Sequence, residues 1–209
     1  MYQKYIKRLM DITLACVLAL VALPVSIVIA VLIKFESKGP ILFKQKRVGK
    51  DAKTFTIYKF RTMEANHNDQ QDRAYMTTYV RGAIDKDKAN HGSFKPAADG
   101  HISRVGRFLR RTSLDELPQL FNVVKGEMSL VGPRPNVPGE VDEYRPWHCE
   151  RLEVLPGITG LAQINGRSSI SFDSIVRYDI KYIENQELAL DLQIIWATVS
   201  LVVLRTGAG

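Results

Sequence analysis

Apolar and polar positions divide the chain into stretches of different character. The first is an uncharged run of 22 residues, Ile12–Ile33. As one helix it is roughly 33 Å long, enough to cross a hydrocarbon core of about 30 Å. Pro24 lies inside it. Proline removes a backbone hydrogen bond and crowds the preceding turn, so it kinks a helix. Ser26 is placed to satisfy a freed carbonyl. Two readings stay open: a helix that spans the membrane, since spanning helices tolerate proline, or one that enters and turns back. A cleaved leader fits poorly, because the run continues past Pro24 with no small-x-small site after it.

Gly39-Pro40 ends this segment. Ile41–Arg47 and Thr54–Phe60 read as two short strands around a turn, VGKDAK, and predict a hairpin. Residues 64–103 are polar with few aliphatics and read as a surface excursion. Its His67, Asp69 and Asp72 are too scattered to argue for a metal site. Ile102–Arg111 predicts a basic helix. Leu188–Leu204 carries a 13-residue apolar stretch, LQIIWATVSLVVL, short for a span and suited to a core or interfacial helix.

Composition changes the picture little, but charge changes it more. The chain has 209 residues, 45% hydrophobic and 24% charged, which excludes disorder throughout. Cys16 and Cys149 exclude a disulfide scaffold. The net charge of +7 lies wholly in residues 1–50, with nine basic and two acidic groups, and the remainder is neutral. Basic groups flanking an apolar run point to anionic headgroups rather than to nucleic acid. Basic flanks on both sides weaken the positive-inside bias and suit two cytoplasmic ends. Lys7, Arg8 and Asp11 stand at the membrane boundary, where they would hold the helix angle, with an ion pair between successive turns.

Three candidate sites follow. In Ile102–Arg111, arginines 104, 107 and 111 share a face, either as a solvated surface or as an anion clamp. Ser113-Leu-Asp-Glu116 has the form of a capping box, with Ser113 capping and Glu116 reaching back. Pro118 complicates that, because the capped helix wants its missing N–H for the Leu114 carbonyl. Arg134 lies between Pro133 and Pro135, on a stiff backbone that lowers the entropic cost of aiming one guanidinium. A plain rigid turn is the other reading. The glycine-rich Leu155–Arg167 matches neither a Walker loop nor GxGxxG.

Several pieces then align in order: Lys7-Arg8-x-x-Asp11 before the apolar run, GPILFKQKRVG at 39–49 and FTIYKFRTM at 55–63. They continue with RTSLDELPQLFNVVKGEMSLVGPRPNVPGE at 111–140 and LPGITGLAQINGR at 155–167. This pattern resembles the bacterial sugar transferase family, the monotopic phosphoglycosyl transferases, over nearly all the chain except roughly 64–100. The size resembles the minimal, catalytic-domain members.

The resemblance implies transfer of a sugar-1-phosphate from a UDP-sugar to polyprenol (undecaprenyl) phosphate, at the cytoplasmic leaflet of the bacterial inner membrane. UMP leaves, and surface-glycan assembly begins. It implies a re-entrant helix broken at Pro24, where Leu23 stands in place of a serine that members often carry. The expected fold is compact mixed α/β, with a few short strands and interfacial amphipathic helices. Residues 1–38 would form the membrane helix with its basic flanks. Residues 39–209 would form the catalytic domain, with 64–103 a variable excursion. A homo-oligomer is left open.

The resemblance makes Asp115 the nucleophile, with Asp115 and Glu116 as ligands of Mg²⁺. Arg110, or Arg111 as the alternate, and Arg134 would contact phosphates. Lys59 and Arg61 are further anion candidates, and Gln163 a nucleotide or loop contact. Adjacent Asp115 and Glu116 do not share a helix face, so equal roles are not expected. The rival readings are Asp115 as a metal ligand only, in a direct displacement, and a non-enzymatic scaffold of the same fold. Intact Asp115, Glu116 and Arg110 argue against the second.

Overall fold

The computed structural model describes residues 2–63, 70–82, 102–166 and 169–204. Its elements alternate short strands with helices. In order they are α1 Lys7–Glu36, β1 Leu42–Val48, β2 Thr54–Phe60, α2 Gln70–Val80, α3 Arg104–Thr112, α4 Gln119–Lys125 and β3 Ser129–Val131. Then follow α5 Pro138–Val141, β4 Gly157–Thr159, α6 Leu161–Ile164, α7 Phe172–Glu184 and α8 Leu188–Val203. This is the expected mixture of helices with a few short strands. Among the described residues, α1 is the one helix long and apolar enough to cross a membrane, by length and composition.

The break expected at Pro24 does not interrupt α1, which is helical throughout with Pro24 inside it. Both of its ends are buried against the rest of the chain, and its middle is not. Ala15 lies in a cluster with Ile57, Leu120, Val123, Met128, Leu130, Val131, Tyr182 and Ile194. Ile29 and Ile33 lie in a second cluster with Phe60 and Leu109. Between them Val17, Leu18, Leu20, Val21, Leu23, Val25, Ile27 and Val28 are exposed. Full burial of an aliphatic side chain is worth about 1.5–3 kcal/mol, so the two ends are firmly docked.

Charged groups reinforce both dockings. Lys7 Nζ pairs with Asp191 of α8 at 2.7 Å, inside the protein. The expected pair between successive turns is thus replaced by one that crosses to the last helix. Asp11 instead accepts the Leu130 N–H at 3.1 Å. Arg8 caps the C-terminus of α4 through the carbonyls of Val123 and Val124, at 2.7 and 3.0 Å. At the other end, Glu36 accepts the Arg104 and Val105 N–H groups and so caps α3 together with Ser103. A carboxylate there meets the positive end of the helix dipole.

The hairpin forms as expected. β1 and β2 are antiparallel, with Leu42 opposite Phe60 and Val48 opposite Thr54. Fully buried Asn122 of α4 satisfies the other edge of β2, accepting from Tyr58 N and donating to Thr56 O. β3 and β4 pair in parallel, Ser129 with Gly157 and Val131 with Thr159.

The polar surface excursion expected at 64–103 contains a helix, α2. Tyr79 and Val80 at its end are buried with Phe172 and Val176 of α7. The signal was present in the spacing of Tyr75, Met76, Tyr79 and Val80, which a polar average over forty residues conceals. His67 and Asp69 lie outside the described residues, as does the side chain of Asp72.

Gly106 fixes the position of α3. A Cβ there would fall 2.1 Å from the Thr62 carbonyl oxygen, so only glycine lets the helix approach the segment after β2 this closely. Gly106→Ala is expected to destabilise the protein by about 1–3 kcal/mol through this clash. Gly139→Ala, whose Cβ meets nothing within 4 Å, should cause no loss. Thermal unfolding of the two variants in detergent measures the difference.

Candidate active site

Asp115 and Glu116 stand in a single 3₁₀ turn, Leu114–Glu116, between α3 and α4. Local sequence accounts for that turn. Ser113 ends α3 in the left-handed conformation, φ 55°, a strained backbone for a residue with a Cβ. Pro118 has no N–H to offer the Leu114 carbonyl, and Leu117 N takes it at 3.3 Å instead. The result is a tight i→i+3 turn rather than a first α-helical turn. The capping box is not formed. Ser113 makes no side-chain cap bond to this turn, and Glu116 bonds elsewhere.

Glu116 Oε1 accepts from Lys59 Nζ at 2.6 Å and from Arg134 Nη1 at 3.3 Å. Lys59 comes from the end of β2 and Arg134 from the loop after β3. Asp115 Oδ2 lies 4.0 Å from the same Lys59 ammonium. Its neighbours Leu114 and Leu117 pack against the cluster of Ile29, Ile33, Phe60 and Leu109. The acidic pair is therefore held directly beside the C-terminal half of α1.

The two carboxyls are driven apart. Burial would raise both. For Asp115 it wins over Lys59, with Glu116 adding to it, and the carboxyl sits above its ordinary value. For Glu116 the Lys59 and Arg134 charges outweigh burial and bring it down to about 2. Burial lowers the Lys59 ammonium against the opposing pull of Glu116, and Glu116 raises Arg134. Neighbouring acids with opposite shifts have different work to do. Glu116 is a fixed counter-ion for two cations. Asp115 is a desolvated carboxylate in a looser pair with Lys59, at 4.0 Å.

The other predicted residues are placed as follows. Arg110 donates from Nε to Thr62 Oγ1 at 3.0 Å, and its charge acts on Asp115. Arg111 is exposed on α3. Arg61 is buried and turned to the end of α1, donating to Ser37 O, Ser37 Oγ and Lys38 O at 2.7–3.1 Å. Gln163 lies on α6, its Oε1 close to Gly160, which abuts Gly132. Pro24 is in the exposed middle of α1. Lys7, Arg8 and Asp11 hold α1 to α8, α4 and β3. Thus Lys59, Arg110, Asp115, Glu116 and Arg134 converge, and Arg61 does not join them. Sequence reasoning missed Thr62, which steadies Arg110, and the Arg47 and Arg151 contacts to the loop of Arg134. Nothing in their local sequence marks them.

Among the described residues no group of three or more His, Cys, Asp or Glu is arranged to hold a metal. Mg²⁺ needs no such cage, since it keeps several waters and binds through one or two carboxylates plus substrate phosphates. Asp115 fits that mode, whereas Glu116 is already engaged by two cations.

A family model described as bacterial sugar transferase matches residues 2–205. The chain belongs to that family. It is 39% identical over 203 residues to the galactosyl transferase CpsE of Streptococcus agalactiae, covering 97% of this chain and 43% of that one. It is 38% identical over 206 residues to the undecaprenyl-phosphate galactose phosphotransferase of Salmonella typhimurium, covering 98% and 42%. It is 39% identical over 201 residues to the UDP-glucose:undecaprenyl-phosphate glucose-1-phosphate transferase of Klebsiella pneumoniae, covering 92% and 39%. The chain spans less than half the length of each of these relatives.

The opposite shifts give a pH prediction. A raised carboxyl in the folded state favours folding below its unfolded value and loses that contribution as pH rises through the folded value. The raised Asp115 carboxyl therefore costs stability at pH 7, and Asp115→Asn should melt no lower than the native chain. That advantage should vanish as pH falls below the unfolded Asp value near about 4. Glu116 behaves in the reverse sense. Its contribution is present above the unfolded Glu value and fades as pH falls from there toward about 2, so Glu116→Gln should flatten the acid limb. Melting curves of both variants across pH 3–7 test the pair.

Proposed function

We propose that the chain moves a sugar-1-phosphate from a UDP-sugar to polyprenyl (undecaprenyl) phosphate, giving polyprenyl-diphosphate-sugar and UMP. The reaction takes place at the cytoplasmic face of the bacterial inner membrane and opens surface-glycan assembly. The observation that carries this is the position of Asp115: a desolvated carboxylate beside Lys59, Arg110 and Arg134, packed against the apolar helix. A diphosphate from the aqueous side and a phosphate on a lipid can meet only at such a boundary. The names of the Salmonella and Klebsiella relatives support the lipid and the phosphotransfer.

Asp115 attacks the sugar-linked phosphorus. A P–O bond forms to its carboxylate as the bond to the UMP phosphate breaks, and UMP leaves with that electron pair. Polyprenyl phosphate then attacks the same phosphorus and displaces the Asp115 carboxylate. Splitting one exchange into two gives each step a good leaving group. Arg110 and Arg134 bind and orient the phosphates, and Lys59 with Glu116 holds the charge balance around them. Asp115, together with the substrate diphosphate, would hold Mg²⁺, which would supply neutralisation of the developing charge.

Two pinned ends and an exposed apolar middle support a re-entrant α1, because a body on one side of a membrane cannot grip both ends of a spanning helix. The apolar stripe Leu188, Leu192, Trp196 and Val199, exposed on α8, suits an interfacial helix.

Asp115→Asn should abolish UMP release from UDP-galactose or UDP-glucose with undecaprenyl phosphate, while the protein stays in the membrane fraction. Intact-protein mass spectrometry should find a phosphosugar on the native chain when the lipid is withheld. An obligatory ternary complex with no adduct would establish direct displacement, with Asp115 a metal ligand only. For topology, Tyr5→Cys and Lys50→Cys, in a chain with Cys16 and Cys149 changed to serine, should label only from the cytoplasm. Labelling from opposite sides would establish a spanning helix.

A further inference from the structure

Arg151 has no part in the chemistry above, yet it is among the most committed side chains in the molecule. It lies in the 3₁₀ segment Pro146–Leu152 and is 3% exposed. Its guanidinium pairs with buried Asp179 of α7 at 2.7 Å and lies over the rings of Tyr144 and Phe172. It donates to the Arg134 carbonyl at 3.0 Å, to Tyr144 Oη at 2.7 Å and to Asn136 Oδ1. A buried ion pair gives little net stability over apolar side chains of the same volume, so stability alone does not account for this one.

Its targets suggest another use. The loop Pro133–Asn136 has two residues without an N–H, and all four of its carbonyls are held from outside. Pro133 O accepts from Gly157 N at 2.9 Å and Asn136 O from Val48 N at 2.9 Å. Pro135 O accepts from Arg47 at 3.0 Å. Arg151 takes the carbonyl of residue 134 itself and the Asn136 side chain two residues on. With the main chain fixed on both sides, the Arg134 guanidinium leaves the loop toward Glu116.

We propose that Arg151 is a positioning residue: its buried guanidinium, balanced by Asp179, sets the direction from which Arg134 reaches the diphosphate. This rests on the reading that Arg134 contacts a substrate phosphate.

A double-mutant cycle on UDP affinity, with Mg²⁺ and the full chain in detergent, tests it independently of the sugar and of turnover. Arg151→Lys keeps the charge beside Asp179, but a single ammonium cannot reproduce the fork. Arg134→Ala and Arg151→Lys should each weaken UDP binding by about 5- to 30-fold, and the double variant should bind within about threefold of Arg134→Ala alone. Multiplying losses would overturn the proposal, since a merely structural residue weakens binding whether or not Arg134 is present. If Arg134→Ala binds UDP normally, the reading of Arg134 fails and the positioning role with it. If Arg134→Ala is impaired but Arg151→Lys is not, the positioning role alone fails. Should Arg151→Lys not fold, Asn136→Ala removes one of the two Arg151 contacts to the loop and leaves the bond to the Arg134 carbonyl and the Arg151–Asp179 pair in place. The same non-additivity with Arg134→Ala is expected, and additivity overturns the proposal.

Discussion

The organisation of the site depends on one half-buried carboxylate, that of Glu116. Glu116 draws Lys59 from the hairpin and Arg134 from the loop after β3 onto a single oxygen. Taking Lys59 away would leave Glu116 with only the half-exposed Arg134 guanidinium at 3.3 Å. The three segments are therefore held in one arrangement, and the arrangement serves Asp115. Because Glu116 satisfies the cations, its neighbour can stay desolvated and uncommitted. Two adjacent acids thus divide their work between ordering the site and standing ready to react.

The supports around this pair are mostly backbone contacts made by unusual means. Glycines at 106, 132, 157 and 160 bring main chains closer than a Cβ permits. Pro118 forces the acidic residues into a 3₁₀ turn, and Ser113 takes a strained conformation to begin it. Arg8, Arg61 and Arg151 each spend their donors on carbonyls of another segment. Several of the basic groups that look available for anions are therefore fasteners.

What the sequence revealed followed the range of the interaction involved. The hairpin, α1, α3 and α8 are set by periodicity and turn residues within a few positions, and all were legible. The distortion at Pro118 was legible for the same reason, since the missing N–H is a local fact. The capping box misled because Glu116 had a better offer from residues 57 positions before it and 18 after it. Arg61 and Lys59 are two residues apart on adjoining backbone, and nothing local says that one turns to Ser37 and the other to Glu116. Lys7 pairs with Asp191 rather than within its own helix, and a partner 184 residues away leaves no local signal. The Asp115 motif was legible through its resemblance to a family. Its electrostatic division of labour with Glu116 required the fold.

The docking of α1 carries one more consequence. Ala15 belongs to one core cluster and Ile29 and Ile33 to another, while Lys7 neutralises a fully buried Asp191. The helix that meets the lipid is thus also part of the globular interior. Cutting it away would open both clusters to water and strand a negative charge at the heart of the protein. The apolar helix is therefore a structural member of the body, and the chain without it would not be the same folded unit with one part removed.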